Sequence, residues 1–181
     1  MKVSSGLAKC LITAGVLLST LLPSLSYAVD EVRALDWNDL MPAGFSDEAL
    51  FADYDVSSFD DGDPEGQRRY EEFQEILQSA PVIESLDGQL ISLPGFALPL
   101  EGDYEATSLF LLVPYFGACI HVPPPPSNQI VLVRADPGVK IETLFAPVKV
   151  SGRIRIESTD TGIAHAGYTM DLTNIETIED F

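Results

Sequence analysis

From residue 148 to 157 apolar and polar side chains alternate with little interruption. Val148, Val150, Ile154 and Ile156 fall on one side, and Lys149, Ser151, Arg153, Arg155 and Glu157 on the other, the period-two mark of a half-buried strand. Gly152 breaks the apolar row and predicts a bulge or bend. The alternation returns where Tyr168, Met170 and Leu172 interleave with Thr169, Asp171 and Thr173. Residues 107–115 are apolar on both faces, as in a strand under cover, and 129–134 read as another strand, turned by Asp136-Pro137-Gly138. Two apolar runs around Asp87-Gly88 predict a hairpin over 81–93. Pro94-Gly95 and Pro99 then break the next run, which suits an edge or a bulge.

One segment follows a helical period instead. Asp63 is placed to cap free N–H groups, Pro64 suits the first helical position and Pro81 stops the run. Tyr70, Phe73 and Leu77 recur on one face, with Arg68, Arg69, Glu71, Glu72 and Glu75 mainly on the others. A docked surface helix over 64–80, followed by five or six short strands over 81–181, predicts a mainly β chain. The expected architecture is a small OB-like antiparallel barrel, since closure removes free strand edges.

Ahead of the helix the pattern changes twice. Residues 1–28 have the form of a cleavable signal peptide: Lys2 and Lys9, an apolar stretch too short and too punctuated by Ser and Pro to span a bilayer, and small residues at Ser26 and Ala28. The reading is a periplasmic protein with no stable membrane insertion after cleavage. Residues 29–63 form an acidic arm. Its run 43–66 lacks a sustained period, but Phe45, Leu50, Phe51, Tyr54 and Phe59 are able to pin it to a surface. Asp53, Asp55, Asp60, Asp61 and Asp63 do not match the spacing of a calcium-binding loop.

Charge narrows the partners. The chain carries a formal net charge of −18. Loss of Lys2 and Lys9 leaves eight basic residues against 28 acidic ones, a balance that repels nucleic acid and anionic membrane surfaces. Five of those eight lie between 134 and 155. On one strand face Lys149, Arg153 and Arg155 are placed to meet an anion, an acidic partner, the chain's own arm or solvent.

The candidate chemistry sits in residues 109–129, LFLLVPYFGACIHVPPPPSNQ. Without the leader Cys119 is the sole cysteine, so no internal disulfide can form. In an extended segment Cys119 and His121 point to one face, where thiolate and imidazole suit zinc or copper. Two ligands are not a site, however, and the parity of His165 with Thr169 and Asp171 aims that residue outward. The plainer reading packs Cys119 as a small apolar side chain and leaves His121 bonded within the loop. No elbow or triad signature accompanies the pair, so an enzyme is not expected and no catalytic residue is assigned. Pro123, Pro124, Pro125 and Pro126 form a rigid polyproline strut. With Tyr115, Phe116, Asn128 and Gln129 they are the candidate binding surface, Asn128 and Gln129 also being suited to satisfying loop backbone groups.

Leu86-Asp87-Gly88, Leu93-Pro94-Gly95-Phe96, Pro99-Leu100 and PYFGACIHVPPPPSNQ together resemble a family of proteobacterial secreted proteins, domain of unknown function 3299. The resemblance spans about 81–168 and leaves the acidic arm outside. It implies an OB-like barrel and an envelope accessory role beside ABC-type transport components, with zinc-responsive settings for some members. The expectation is therefore a periplasmic, non-enzymatic binding or accessory module with an envelope protein partner and no resident cofactor. The alternative is a zinc- or copper-handling protein using Cys119 and His121.

Overall fold

The computed structural model describes residues 31–46, 63–118 and 124–179. The leader, the middle of the arm and the segment carrying Cys119, His121 and Pro123 lie outside the described residues. Six strands form one sheet: β1 (Arg33–Ala34), β2 (Leu90–Glu101), β3 (Thr107–Val113), β4 (Val131–Val139), β5 (Ala146–Asp160) and β6 (His165–Thr177). Their order is β1-β2-β3-β4-β6-β5, and β5 returns to pair with β2. Five strands therefore close into a barrel, with the two-residue β1 added in parallel outside β2. This is the connectivity of an OB barrel. It departs from the wholly antiparallel expectation at one place, because β4 and β6 run parallel from Val131↔Tyr168 to Arg134↔Asp171.

The interior follows the alternation. Ile91, Leu93 and Ala97 of β2, Phe110 and Leu112 of β3, Val131 and Val133 of β4, Val148, Val150 and Ile154 of β5, and Tyr168 and Met170 of β6 are all buried in one cluster. At Gly152 the β5–β6 register shifts. A Cβ there would lie 2.4 Å from the Asp171 carbonyl oxygen and 2.6 Å from Met170 Cγ, so only glycine lets the two strands approach so closely.

The expected hairpin over 81–93 does not form. Glu84–Leu86 make a short 3-10 turn instead, and β2 begins at Leu90. Pro94 and Gly95 do not break the run, which continues as β2 to Glu101, while the expected bulge falls at the register shift between Pro99 and Glu101. The carbonyls of Ser92 and Pro94 point away from β5, taking Leu35 N and Trp37 Nε1 respectively. β1 ends opposite Ser92 and β3 ends at Val113 opposite Phe96, so the missing N–H of Pro94 costs no ladder bond. Gly95 leaves room for the indole: a Cβ would stand 2.9 Å from Trp37 Cζ2. Asp136-Pro137-Gly138 likewise stay inside β4, opposite a register shift between Thr107 and Leu109.

The helix α1 (Pro64–Gln78) starts where its cap predicts, with Asp63 accepting from Glu65 N at 3.2 Å. Phe73 and Leu77 are buried, but Tyr70 is exposed, its hydroxyl accepting from Gln74 Nε2. The segment before the helix is more than an acidic arm. Leu35 and Leu40 join the barrel core and Trp37 packs against it. Among the described residues no helix is long and apolar enough to cross a membrane.

Candidate functional site

β3 and β4 are apolar on their outer face as well as their inner one. Leu111, Val113, Ile130 and Leu132, of opposite parity to the barrel interior, form a second buried cluster with Leu98, Ala118, Phe145, Ala164 and Ala166. A strand run apolar on both faces needs cover on both. Here the outer cover comes partly from the segments after β3 and before β5. Phe116 stands over this layer, its ring edge-on to Phe96 at 6.2 Å and tilted on Phe145 at 5.3 Å. Phe116 remains 69 % exposed and its neighbour Tyr115 39 %. Phe145 is buried with φ 57°, in the left-handed region, a conformation that costs a bulky residue about 1–2 kcal/mol. Its buried ring contacts offset that strain. Phe96 and Phe145 escaped the sequence reading because neither lies in a motif. The signal available was the two-faced apolarity of 107–115, which demands a second layer.

The outer face of the middle strands is where OB barrels take ligands. Among the described residues it presents aromatic and aliphatic side chains, with no row of cations to follow a phosphate backbone. Arg134, two residues beyond Leu132 on β4, and two arginines of β5 meet the chain's own acceptors. Arg134 donates to both carboxylate oxygens of Glu157, each at 3.0 Å. That bond holds the Glu157 carboxyl below the usual carboxylate range and raises Arg134. Arg155 pairs with Asp171 at 3.2 Å, Arg153 donates to the Gly88 carbonyl, and Lys149 stands opposite Glu176 in the β5–β6 ladder. Of the alternatives open to Lys149, Arg153 and Arg155, the fold engages Arg155 and Arg153 with its own acceptors.

The polyproline wall separates into two environments. Pro125 and Pro126 are buried, while Pro124 is half-buried. Asn128 and Gln129, expected at the binding surface, are enclosed at 0 % and 2 % exposure. Asn128 Nδ2 donates to the Pro81 carbonyl and Gln129 Nε2 to that of Trp37, each at 2.8 Å. They tie the loop to the chain before β2 and offer nothing to a partner. Ser127–Gln129 form a 3-10 turn, so the strand expected from 129 begins at Val131.

Pro124 and Pro125 line a cleft of about 240 Å³ with Gln74, Leu77 and Gln78 of α1 and with Asp160, Ile163 and His165 of the β5–β6 turn. The His165 side chain is 29 % exposed and its Nδ1 lies 3.9 Å from Asp160 Oδ1. Parity aimed His165 away from the interior, and α1 and the prolines roof that direction into a cleft. Among the described residues no three His, Cys, Asp or Glu side chains are grouped to hold a metal ion.

Residues 37–177 match the family described as "Protein of unknown function (DUF3299)". The chain belongs to the DUF3299 family. Membership begins at Trp37, not near residue 81, so the Trp37 and Leu40 anchors fall inside it and the acidic segment is not wholly outside. A crystal structure of a DUF3299 family protein from Pseudomonas aeruginosa PAO1 is 36 % identical, covers 83 % of this chain and 99 % of that one, and has a TM-score of 0.62. No curated protein matches the chain.

Proposed function

We propose that this DUF3299 protein is an exported, non-enzymatic binding module that serves as an accessory of an ABC-type envelope transport assembly. The observation that carries the binding role is Phe116, a 69 % exposed ring seated on Phe96 and Phe145 over the OB ligand face. An exposed aromatic anchor held by its neighbours over an apolar layer is a common core of a protein–protein contact. The net charge of −18 and the apolar face disfavour nucleic acid. The transport setting rests on the family resemblance, and the periplasmic address on the form of residues 1–28. Photo-crosslinking from position 116 in intact cells tests the proposal. An envelope transport component captured through Phe116 and lost in Phe116→Ala supports it; an unchanged set of products in the variant overturns it.

A second reading, transition-metal handling by Cys119 and His121, gains support from one feature. His165 and Asp160 face a cleft whose other wall, Pro124, follows His121 by three residues. Elemental analysis of protein taken from the periplasm, with zinc titration of wild type and Cys119→Ser, separates the readings. Stoichiometric zinc lost in the variant favours metal handling; equal weak uptake by both proteins removes it.

A further inference from the structure

The barrel is not zipped along its whole length. β4 and β6 pair only as far as Arg134↔Asp171. Beyond that point β4 turns to β3 at Val139↔Thr107, while β6 continues to Thr177 with β5 alone as its partner among the described residues. The two strands splay around a cleft of about 260 Å³, walled by Asp136, Pro137 and Val139 on one side and by Leu172, Asn174 and Ile175 on the other. Val139, Leu172 and Ile175 are half-buried against the core, so the floor is apolar.

Natural sheets guard exposed edges with lysine, proline or a very short edge strand. The open stretch of β6, Leu-Thr-Asn-Ile-Glu-Thr over 172–177, has no lysine or proline and only one charge. That charge, Glu176, lies along the edge; Asp136, the one acidic residue lining the cleft, forms no ion pair among the described residues. A strand edge without a partner among the described residues, an apolar floor and the Asp136 carboxylate on one wall fit one kind of occupant.

We infer that the open edge of β6 beside the end of β4 is a strand-addition site for an extended cationic peptide segment of a partner protein. Main-chain bonds to the 172–177 edge supply the affinity, alternate apolar side chains enter the floor between Val139 and Ile175, and lysine or arginine side chains meet Asp136, with Glu176 adding negative charge along the edge. A second copy of this chain is the poorer occupant, because each copy carries −18 and would bring another Glu176 to the edge. The site shares no residue with the Phe116 rim, so either surface can fail without the other.

The test uses the full mature chain and a fluorescein-labelled hexapeptide of alternating lysine and valine. Its companion has the same sequence with alternate backbone nitrogens methylated, which keeps charge and side chains but removes ladder donors. The expected result is saturable binding with amide shifts centred on 135–139 and 172–177, weakened roughly tenfold or more by N-methylation, since main-chain bonds carry strand addition. Asp136→Asn with Glu176→Gln weakens binding of the unmethylated peptide. Equal affinity for the two peptides, amide shifts located elsewhere, no binding, or a β6-mediated dimer by sedimentation each overturns the inference.

Discussion

The hydroxyl of Tyr168 donates to the carbonyl of Leu40 at 2.9 Å, joining residues 128 apart in sequence, and accepts from the Ile83 amide at 2.7 Å. One buried phenol thus holds the N-terminal segment, the turn before β2 and the last strand together. Tyr168→Phe leaves a buried carbonyl and amide without that partner and should cost about 1–3 kcal/mol. Urea unfolding at neutral pH measures it; an unchanged midpoint and slope would show that the clamp contributes nothing.

The same residue sets an alkaline limit. Burial raises the Tyr168 phenol above its ordinary 10.0, with the Ile83 bond acting the other way. A group whose folded value is raised favours the fold fully below its unfolded value. That contribution is lost as pH climbs from about 10 through the folded value. Wild-type stability should therefore fall over that window by more than that of Tyr168→Phe. Parallel curves for the two proteins would contradict the assignment.

Gly152→Ala places a methyl against the Asp171 carbonyl and Met170 at a shifted register. Overpacking at such a site costs about 1–3 kcal/mol, visible as a lower thermal midpoint. A neutral substitution would mean that β5 and β6 separate there without penalty.

Arg134 and Glu157 form a two-pronged but half-exposed pair, so its worth is no more than about 1 kcal/mol. The Glu157 carboxyl is depressed by Arg134. Its contribution is present above the unfolded carboxylate value and fades as pH falls through the folded one. Glu157→Gln should lose stability at neutral pH, and the gap from wild type should narrow as pH falls from the unfolded carboxylate value through the depressed folded one. A gap that widens in acid would reverse the sign.

Trp37, the single tryptophan, donates to the Pro94 carbonyl at 2.8 Å and lies over Gly95. Its fluorescence reports docking of the N-terminal segment, and far-UV circular dichroism reports the barrel. Because Leu35 and Leu40 belong to the same core as β2–β6, the two signals should give one transition. Two separate midpoints would show that the segment undocks by itself.

What was legible in the sequence was whatever side-chain period records. The faces of β5 and β6, the cap at Asp63 and the bend at Gly152 depend on local alternation and turn chemistry. Pairing partners leave no such record. Nothing in 131–134 says that it will run parallel to 168–171, and nothing around Asp87-Gly88 distinguishes a hairpin from a 3-10 turn before a strand. Tyr70 matched the apolar helical step, yet α1 meets the barrel through Phe73 and Leu77 and leaves the first turn of that stripe in water. Asn128 and Gln129 looked like surface because their types are polar; they are buried because their amides satisfy carbonyls of Pro81 and Trp37, distant in sequence. Leu35 and Leu40 were lost among carboxylates, where composition masked two core residues.

The last strand to be made, β6, lies between β4 and β5 and supplies Tyr168 to the N-terminal segment. During synthesis the barrel cannot close until β6 has emerged, because β4 and β5 are joined only through it. Chains stopped before β6 lack a central stave and the N-terminal clamp at once, and no smaller closed barrel is available to them.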